Sequence, residues 1–522
     1  MNYQNPILKG FNPDPSICRV GDDYYLVTSS FEYFPAIPVY HSRDLVNWQL
    51  ISYCLDRDSQ VDLLHRTSYI PIPDNASGGI YAPSLCFEDG IFYLTVTNVS
   101  NGGNFIVTAR DITGPWSDPV FVKQGGIDPS LFFEDGHVYF STSALIRGTH
   151  GIYLCEIDVR TGEMLTDSCL ISRGNGGIAP EGPHIFKKDG WYYLLMAEGG
   201  TSYGHMVTIL RSKDIYGPYE SCPRNPVLSH KDSDSSIQCV GHGHMVTDPA
   251  GNWWMVCLGI RQLGPSLNNL GRETFLTPLY WDEEGWPRIE GGHGGKVLVD
   301  APKDAILTEA PADHSMHDEF DTPKLHDEWN TLRVPFTEEM GTTGDGRLTL
   351  VGKGSLCNKH ELSLVAKRWQ AFNFDAEVKV KFDPFNYQQM AGLTNFYNDK
   401  HWSFAFVTWN EKNGRVIEVA ECNRCGYRSF LRDDAIPVPD DVEFVWLRTK
   451  VRKQSYSYEY SFDGKNYTEI PGTLDAAVLS DDYVLQSYGG FFTGAFVGMA
   501  CVDYSGYDQT AEFRSFDYKE LD

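Results

Sequence analysis

One unit recurs five times in the first half of the chain, and no other feature limits the fold as strongly. Phe11-Asn12-Pro13-Asp14-Pro15-Ser16-Ile17 leads through Gly21-Asp22-Asp23 into Tyr24-Tyr25-Leu26-Val27. Tyr81-Ala82-Pro83-Ser84-Leu85 precedes Glu88-Asp89-Gly90 and Phe92-Tyr93-Leu94, and Ile127-Asp128-Pro129-Ser130-Leu131 precedes Glu134-Asp135-Gly136 and Val138-Tyr139-Phe140. Ala179-Pro180-Glu181-Gly182-Pro183-His184-Ile185 precedes Lys188-Asp189-Gly190 and Trp191-Tyr192-Tyr193, and Gly241-His242-Gly243-His244-Met245 precedes Ala250-Gly251-Asn252 and Trp253-Trp254-Met255. Each copy reads as an extended start, a tight turn and a strand of β-branched and aromatic residues. Counted at Pro15, Pro83, Pro129, Pro183 and His244, the copies lie about 45–70 residues apart, the length of a four-stranded propeller blade with loop insertions. Ser42-Arg43-Asp44-Leu45, Ala109-Arg110-Asp111-Ile112 and Ser212-Lys213-Asp214-Ile215 form a weaker repeat at a similar offset, where an outer hairpin would turn.

A propeller of five such units does not use up the 522 residues, so a second domain is expected. Near residue 300 the composition shifts to Asp300-Ala301-Pro302-Lys303-Asp304-Ala305 and Glu309-Ala310-Pro311-Ala312-Asp313, small, polar and proline-bearing as in a connector. Beyond it, Leu348–Val351, Phe374–Val380, Trp402–Val407, Trp446–Val451 and Tyr456–Tyr460 alternate with period two, and Asp463-Gly464 marks a hairpin turn. The predicted fold is all-β: a five-bladed β-propeller over residues 1–305, then an antiparallel β-sandwich over 306–522, with few helices.

The formal charge of −27, without a Lys/Arg cluster, argues against nucleic acid or an anionic membrane as partner and suits a neutral substrate such as a sugar. No apolar run is long enough to span a bilayer, and the N-terminus lacks a basic and an apolar signal region, so a cytoplasmic location is expected. The twelve cysteines, as at Cys86, Cys155, Cys239 and Cys257, sit mostly in apolar strand patterns and read as reduced, buried thiols. Cys422-Asn423-Arg424-Cys425 has no second pair at zinc spacing. The composition allows a homo-oligomer without specifying one.

Propeller geometry gathers the innermost strands around one channel, so the starts of the five units converge although they are distant in sequence. Three starts carry an acid: Asp14, Asp128 and Glu181. Carboxylates that share a funnel repel one another and raise at least one pKa, which suits a general acid. Asp before Pro is often a turn-former, but recurrence weakens that account, and Glu181 between two prolines has no turn-making merit. His244 is read either as a satisfied inner-strand histidine or as a channel group holding a water or metal. Trp253 and Trp254 are read as blade core.

Four segments, Asn12–Ser16, Ile127–Ser130, Pro180–His184 and Leu270-Gly271-Arg272-Glu273-Thr274, together resemble glycoside hydrolase family 43, in particular its β-xylosidases and α-L-arabinofuranosidases. Gly489-Gly490-Phe491-Phe492-Thr493-Gly494 is similar to the accessory sandwich domain of those enzymes. The resemblance implies an inverting mechanism with Asp14 as general base, Glu181 as general acid and Asp128 tuning and orienting the acid. It also implies that Arg272 binds substrate hydroxyls, that Phe31 and Tyr81 form pocket wall and that Phe492 reaches the rim. No cofactor is required, and a water or calcium contact at His244 is implied for some members. Where such xylosidases have Trp-Ala-Pro-His, this chain has Tyr81-Ala82-Pro83-Ser84, which favours the furanoside's projecting hydroxymethyl. The expected activity is exo-acting release of terminal pentoses from xylan- or arabinoxylan-derived oligosaccharides, as an α-L-arabinofuranosidase with β-D-xylosidase activity. Two alternatives are a retaining hydrolase of the invertase kind, whose Asn-Asp-Pro-Asn-Gly segment has no counterpart here, and a non-catalytic sugar-binding protein.

Overall fold

The computed structural model describes residues 2–64, 77–264, 267–289, 298–300, 314–486 and 490–521. Two compact units emerge: one comprises Met1–Ile72, Gly78–Arg261 and Arg272–Ala312, the other Pro73–Ser77, Gln262–Gly271 and Asp313–Asp522. The connector read at 301–313 lies outside the described residues, as does Gly489.

The first unit is a five-bladed propeller. Its inner strands are β1 (Ser16–Val20), β2 (Ser84–Glu88), β3 (Ile127–Glu134), β4 (Glu181–Lys188) and β5 (Ile237–Thr247). Each inner strand pairs antiparallel with the next strand in sequence and begins a sheet that continues outward. The turns that close three inner hairpins are Asp89-Gly90, Asp135-Gly136 and Asp189-Gly190, with both residues at positive φ in each pair (49° and 78°, 50° and 84°, 50° and 73°). Two successive left-handed residues match the twist of the flanking strands, which is why Asp-Gly was legible as a turn. The weaker repeat also falls as expected, just past the third strands Ala36–Ser42, Gly103–Ala109 and Met206–Ser212. There Ser42 and Asp44 accept backbone N–H groups at Leu45 and Asn47.

The ring closes through the N-terminal segment. Asn2–Gln4 pairs with Leu298–Asp300, and the Asn5 side chain both donates to the Leu276 carbonyl and accepts from the Leu276 N–H. Tyr3 packs on Trp254, which is fully buried as expected of blade core, while Trp253 is part-buried against Phe186 and Trp281.

The second unit has two antiparallel sheets. One contains Arg347–Val351, Thr510–Glu520, Asn373–Lys381, Val445–Arg452 and Ser455–Ser461; the other contains Ser363–Arg368, Phe496–Asp503, Gln389–Asn398, His401–Asn410 and Gly414–Asn423. Asn373–Lys381 alternates strictly between half-buried and buried positions, placing Phe374, Ala376, Val378 and Val380 in a core with Leu447, Val497, Met499, Phe513 and Phe516. This is the period-two pattern of a sheet with one face inward. The one α-helix among the described residues is α1 (Asp481–Leu485), capped by the Ser480 side chain. No disulfide joins any of the cysteines, but Cys169, Cys357 and Cys425 are exposed, so the buried-thiol expectation fails for these three.

Candidate active site

Four of the five inner-strand starts share an irregularity that the sequence does not spell out. Asp14, Asp128, Gly182 and His242 all have left-handed backbone, with φ of 54°, 54°, 56° and 48°. At three of these places the register with the second strand slips, between Ile127 and Ser130, between Glu181 and His184, and between Gly241 and His244. A bulge of this kind turns a side chain out of the alternation of the strand, and non-glycine residues tolerate left-handed backbone poorly. In blade 4 the left-handed position is Gly182, and the acid stands one residue earlier.

Asp14 is held in a rigid frame. The Asn12 N–H donates to the Arg272 carbonyl, and the Ser29 N–H donates to the Pro13 carbonyl. The side chains of these two partners then bind the carboxylate: Arg272 donates to Oδ1 at 2.7 Å, and the Ser29 hydroxyl donates to Oδ2. His242 Nδ1 lies 3.8 Å from Asp14 Oδ1. Burial alone would push the Asp14 pKa upward, but Arg272, then His242, Ser29 and His205 outweigh it and hold the group below its ordinary value.

Asp128 and Glu181 go the other way. Burial, with a contribution from Asp14 and against the pull of His242, raises Asp128 to about 6. Burial, then Asp128 and Asp14, drive Glu181 well above its ordinary value, with Arg272 opposing. Asp128 also fixes the backbone beside the acid, accepting the Gly182 N–H at 3.0 Å. Two blade-3 hydroxyls complete a clamp on that segment: Ser143 donates to the Pro180 carbonyl and Ser130 to the Pro183 carbonyl. Three hydrogen bonds from one blade thus set the direction in which Glu181 leaves its neighbour.

Among the substrate-binding candidates, the Phe31 ring lies beneath the Arg272 guanidinium at 5.4 Å and against half-buried Tyr81 at 5.1 Å. Phe31 has φ 50° and exchanges two backbone hydrogen bonds with Ile80. The adjacent Gly79 is required, since a Cβ there would stand 2.1 Å from the Phe31 carbonyl oxygen. Phe492 belongs to the second unit, where it packs on Phe491 with centroids 4.0 Å apart.

His244 does not join the acids. Its Nδ1 accepts the Ile17 N–H at 3.2 Å, with the Ser16 hydroxyl at 3.0 Å, and its ring stacks on His184 at 3.8 Å. An accepting Nδ1 leaves the hydrogen of the neutral ring on Nε2, so neither nitrogen offers a free lone pair to a cation. Calcium takes oxygen ligands, and the stacked imidazoles supply none. These residues therefore do not fit a directly coordinated calcium, and no group of three or more His, Cys, Asp or Glu among the described residues is placed to hold a metal. A cavity of about 320 Å³ opens further along the same strands, lined by Ile17, Leu85, Leu131, Ile185, Met245 and both imidazoles. The histidine that meets the carboxylates is His242, two residues earlier.

Residues 3–287 match the family described as Glycosyl hydrolases family 43, and residues 317–519 match the Beta xylosidase C-terminal Concanavalin A-like domain. The chain belongs to glycoside hydrolase family 43. This family 43 enzyme is 40% identical over 545 residues to the β-xylosidase of Bacillus subtilis, covering all of both chains. It is 37% identical over 536 residues to the non-reducing end α-L-arabinofuranosidase of Bacteroides ovatus, covering 100% of this chain and 95% of that one. The crystal structure of xylan β-1,4-xylosidase from Bacillus halodurans superposes with a TM-score of 0.92 at 38% identity, over 99% of this chain and 100% of that one. Membership sets aside the invertase-type and sugar-binding-only alternatives.

Proposed function

We propose that the protein is an inverting, exo-acting pentosidase that releases terminal α-L-arabinofuranosyl and β-D-xylopyranosyl units from xylan- or arabinoxylan-derived oligosaccharides. The supporting observation is that carboxyls of one funnel are shifted in opposite directions. Arg272 favours the ionised form of Asp14, while burial and the acidic neighbours favour the protonated form of Glu181. An ionised carboxylate can take a proton from water, and a protonated one can give its own to the departing glycosidic oxygen. The C–O bond electrons leave with that oxygen, and the water proton passes to Asp14. Asp128 holds Gly182 and keeps negative charge near the acid. The names of the relatives support pentosides as substrates. The lack of any disulfide among the cysteines supports a reducing, cytoplasmic setting.

The stereochemical test is direct. A β-xyloside is expected to release α-xylose first, seen in early proton NMR spectra before mutarotation; β-xylose as first product would make Asp14 a nucleophile.

Sugar preference is assigned to the wall formed by Phe31 and Tyr81. Tyr is smaller than Trp and leaves room for the hydroxymethyl group that projects from an arabinofuranoside. Tyr81→Trp is expected to shift the ratio of kcat/KM values toward the xyloside by about 10- to 200-fold, the worth of one apolar contact. An unchanged ratio would remove Tyr81 from the choice.

A further inference from the structure

His205 stands directly before the third strand of blade 4, Met206–Ser212, and is completely enclosed, with its main chain tied at both ends. Its N–H donates to the Ser202 carbonyl, and its own carbonyl accepts the Ser229 hydroxyl. The ring lies so close to β5 that a Cβ on Gly241 would stand 2.5 Å from it, so glycine at 241 makes room for this imidazole. His205 Nδ1 is 3.0 Å from the Cys239 carbonyl oxygen. A carbonyl only accepts, so Nδ1 carries the hydrogen, and Nε2 of the neutral ring keeps its lone pair. That nitrogen is buried, makes no hydrogen bond among the described residues, and lies 3.9 Å from Glu181 Oε1.

We propose that His205 is the positioning residue of the general acid: its neutral Nε2 accepts the hydroxyl of protonated Glu181 and so favours the protonated form and fixes the carboxyl between turnovers. The inference rests on the acid role proposed above for Glu181. A separation of 3.9 Å closes to hydrogen-bond length with a small turn of the glutamate side chain, and such contacts commonly tighten only when substrate is bound. His205 gains and loses no proton. The proton on Glu181 moves to the glycosidic oxygen, and the carboxylate left behind faces a lone pair and regains a proton before the next turnover. Burial, with His242 next, pushes the imidazole down to about 3, so it stays neutral throughout the working range. The charged and titratable groups around the pair are Asp128, Asp14, Arg272 and His242, and their sum favours a protonated Glu181 beside an unprotonated His205.

The experiment compares xylobiose with 2,4-dinitrophenyl β-D-xylopyranoside, whose leaving group departs unprotonated. His205→Phe keeps a ring against Gly241 and removes the lone pair. Its basic limb of kcat/KM for xylobiose is expected to move down by about half to one pH unit, the worth of one hydrogen bond to the neutral acid. Its kcat on xylobiose is expected to fall several-fold more than on the aryl xyloside, and His205→Gln, which can present a carbonyl oxygen, should restore part of the limb. An unmoved limb, or equal losses on both substrates, would reduce His205 to a packing role. A second reading needs no variant at 205: in the native enzyme labelled with ¹⁵N-histidine, the Nε2 resonance should shift when Glu181→Gln is introduced, and a constant shift overturns the contact. Glu181→Gln also separates the two claims. If it loses equally on both substrates, the acid assignment falls and the His205 inference with it; if it is selective while His205→Phe is not, only the inference falls.

Discussion

Glu181→Gln is expected to lose about 10²–10⁴ in kcat on xylobiose and less than about tenfold on a dinitrophenyl xyloside, whereas Asp14→Asn loses about 10²–10⁴ on both. The asymmetry follows from the bonds each group serves. A sugar leaving group needs a proton as the glycosidic bond breaks, and Glu181 is the carboxyl whose surroundings favour the protonated form. A dinitrophenolate leaves without one, so the amide at 181 costs little there. Water must be deprotonated whatever departs, and on the proposed reading Asp14, held by Arg272 and Ser29, takes that proton. Glu181→Gln also removes a carboxyl whose pKa is raised in the folded state. Such a group binds its proton more tightly folded than unfolded, so it lowers stability as pH rises above its ordinary value. The variant is therefore expected to melt at a higher temperature than native at pH 8, and to lose that advantage at pH 4. Equal losses on both substrates would remove Glu181 as the acid, and a variant less stable than native at pH 8 would contradict its raised pKa.

The three carboxylates were legible because the propeller repeats its sequence as well as its geometry. Asp14 and Asp128 share a left-handed backbone position followed by proline, and Glu181 falls one residue before the matching position, Gly182, in blade 4. His242 escapes the sequence pattern for a physical reason. No proline follows it, so matching the prolines to His244 slides blade 5 by one residue and hides that His242 shares the left-handed φ of Asp14, Asp128 and Gly182. His205 has no counterpart in the repeat. It comes from the approach to a third strand, and only folding reveals that Gly241 clears a place for it. Ser130 and Ser143 read in sequence as ordinary strand residues, and their clamp on Pro180 and Pro183 depends on which blade is next to which. The sandwich strands were plain because one buried face imposes period two, as Asn373–Lys381 shows residue by residue.

Arg272→Met should produce the other large effect, and its sign depends on pH. Arg272 is almost fully buried, and its guanidinium is the strongest influence holding Asp14 below the ordinary 3.8 despite the burial that opposes it. In the native enzyme Asp14 therefore contributes stability that is present above its unfolded pKa and is lost as pH falls through the lower folded value. With methionine at 272 the desolvation remains and the strongest influence against it is gone, so the folded pKa rises. The stability that Asp14 contributes above its ordinary value shrinks accordingly. Breaking a buried pair from one side costs about 3–5 kcal/mol when the remaining charge stays ionised, and less once it can take a proton. The melting temperature of Arg272→Met should thus lie furthest below native near pH 8 and approach it near pH 4. Activity follows the same group. A base that is protonated cannot accept a proton from water, so the acid limb of kcat/KM is expected to move upward, with a loss at pH 7 of about 10²–10³ from the missing preorganised charge. Arg272→Lys should recover part of the limb, since an ammonium restores charge without the guanidinium's fixed fork. A limb that stays in place in Arg272→Met would mean that the pocket, and not the cation, keeps Asp14 ionised.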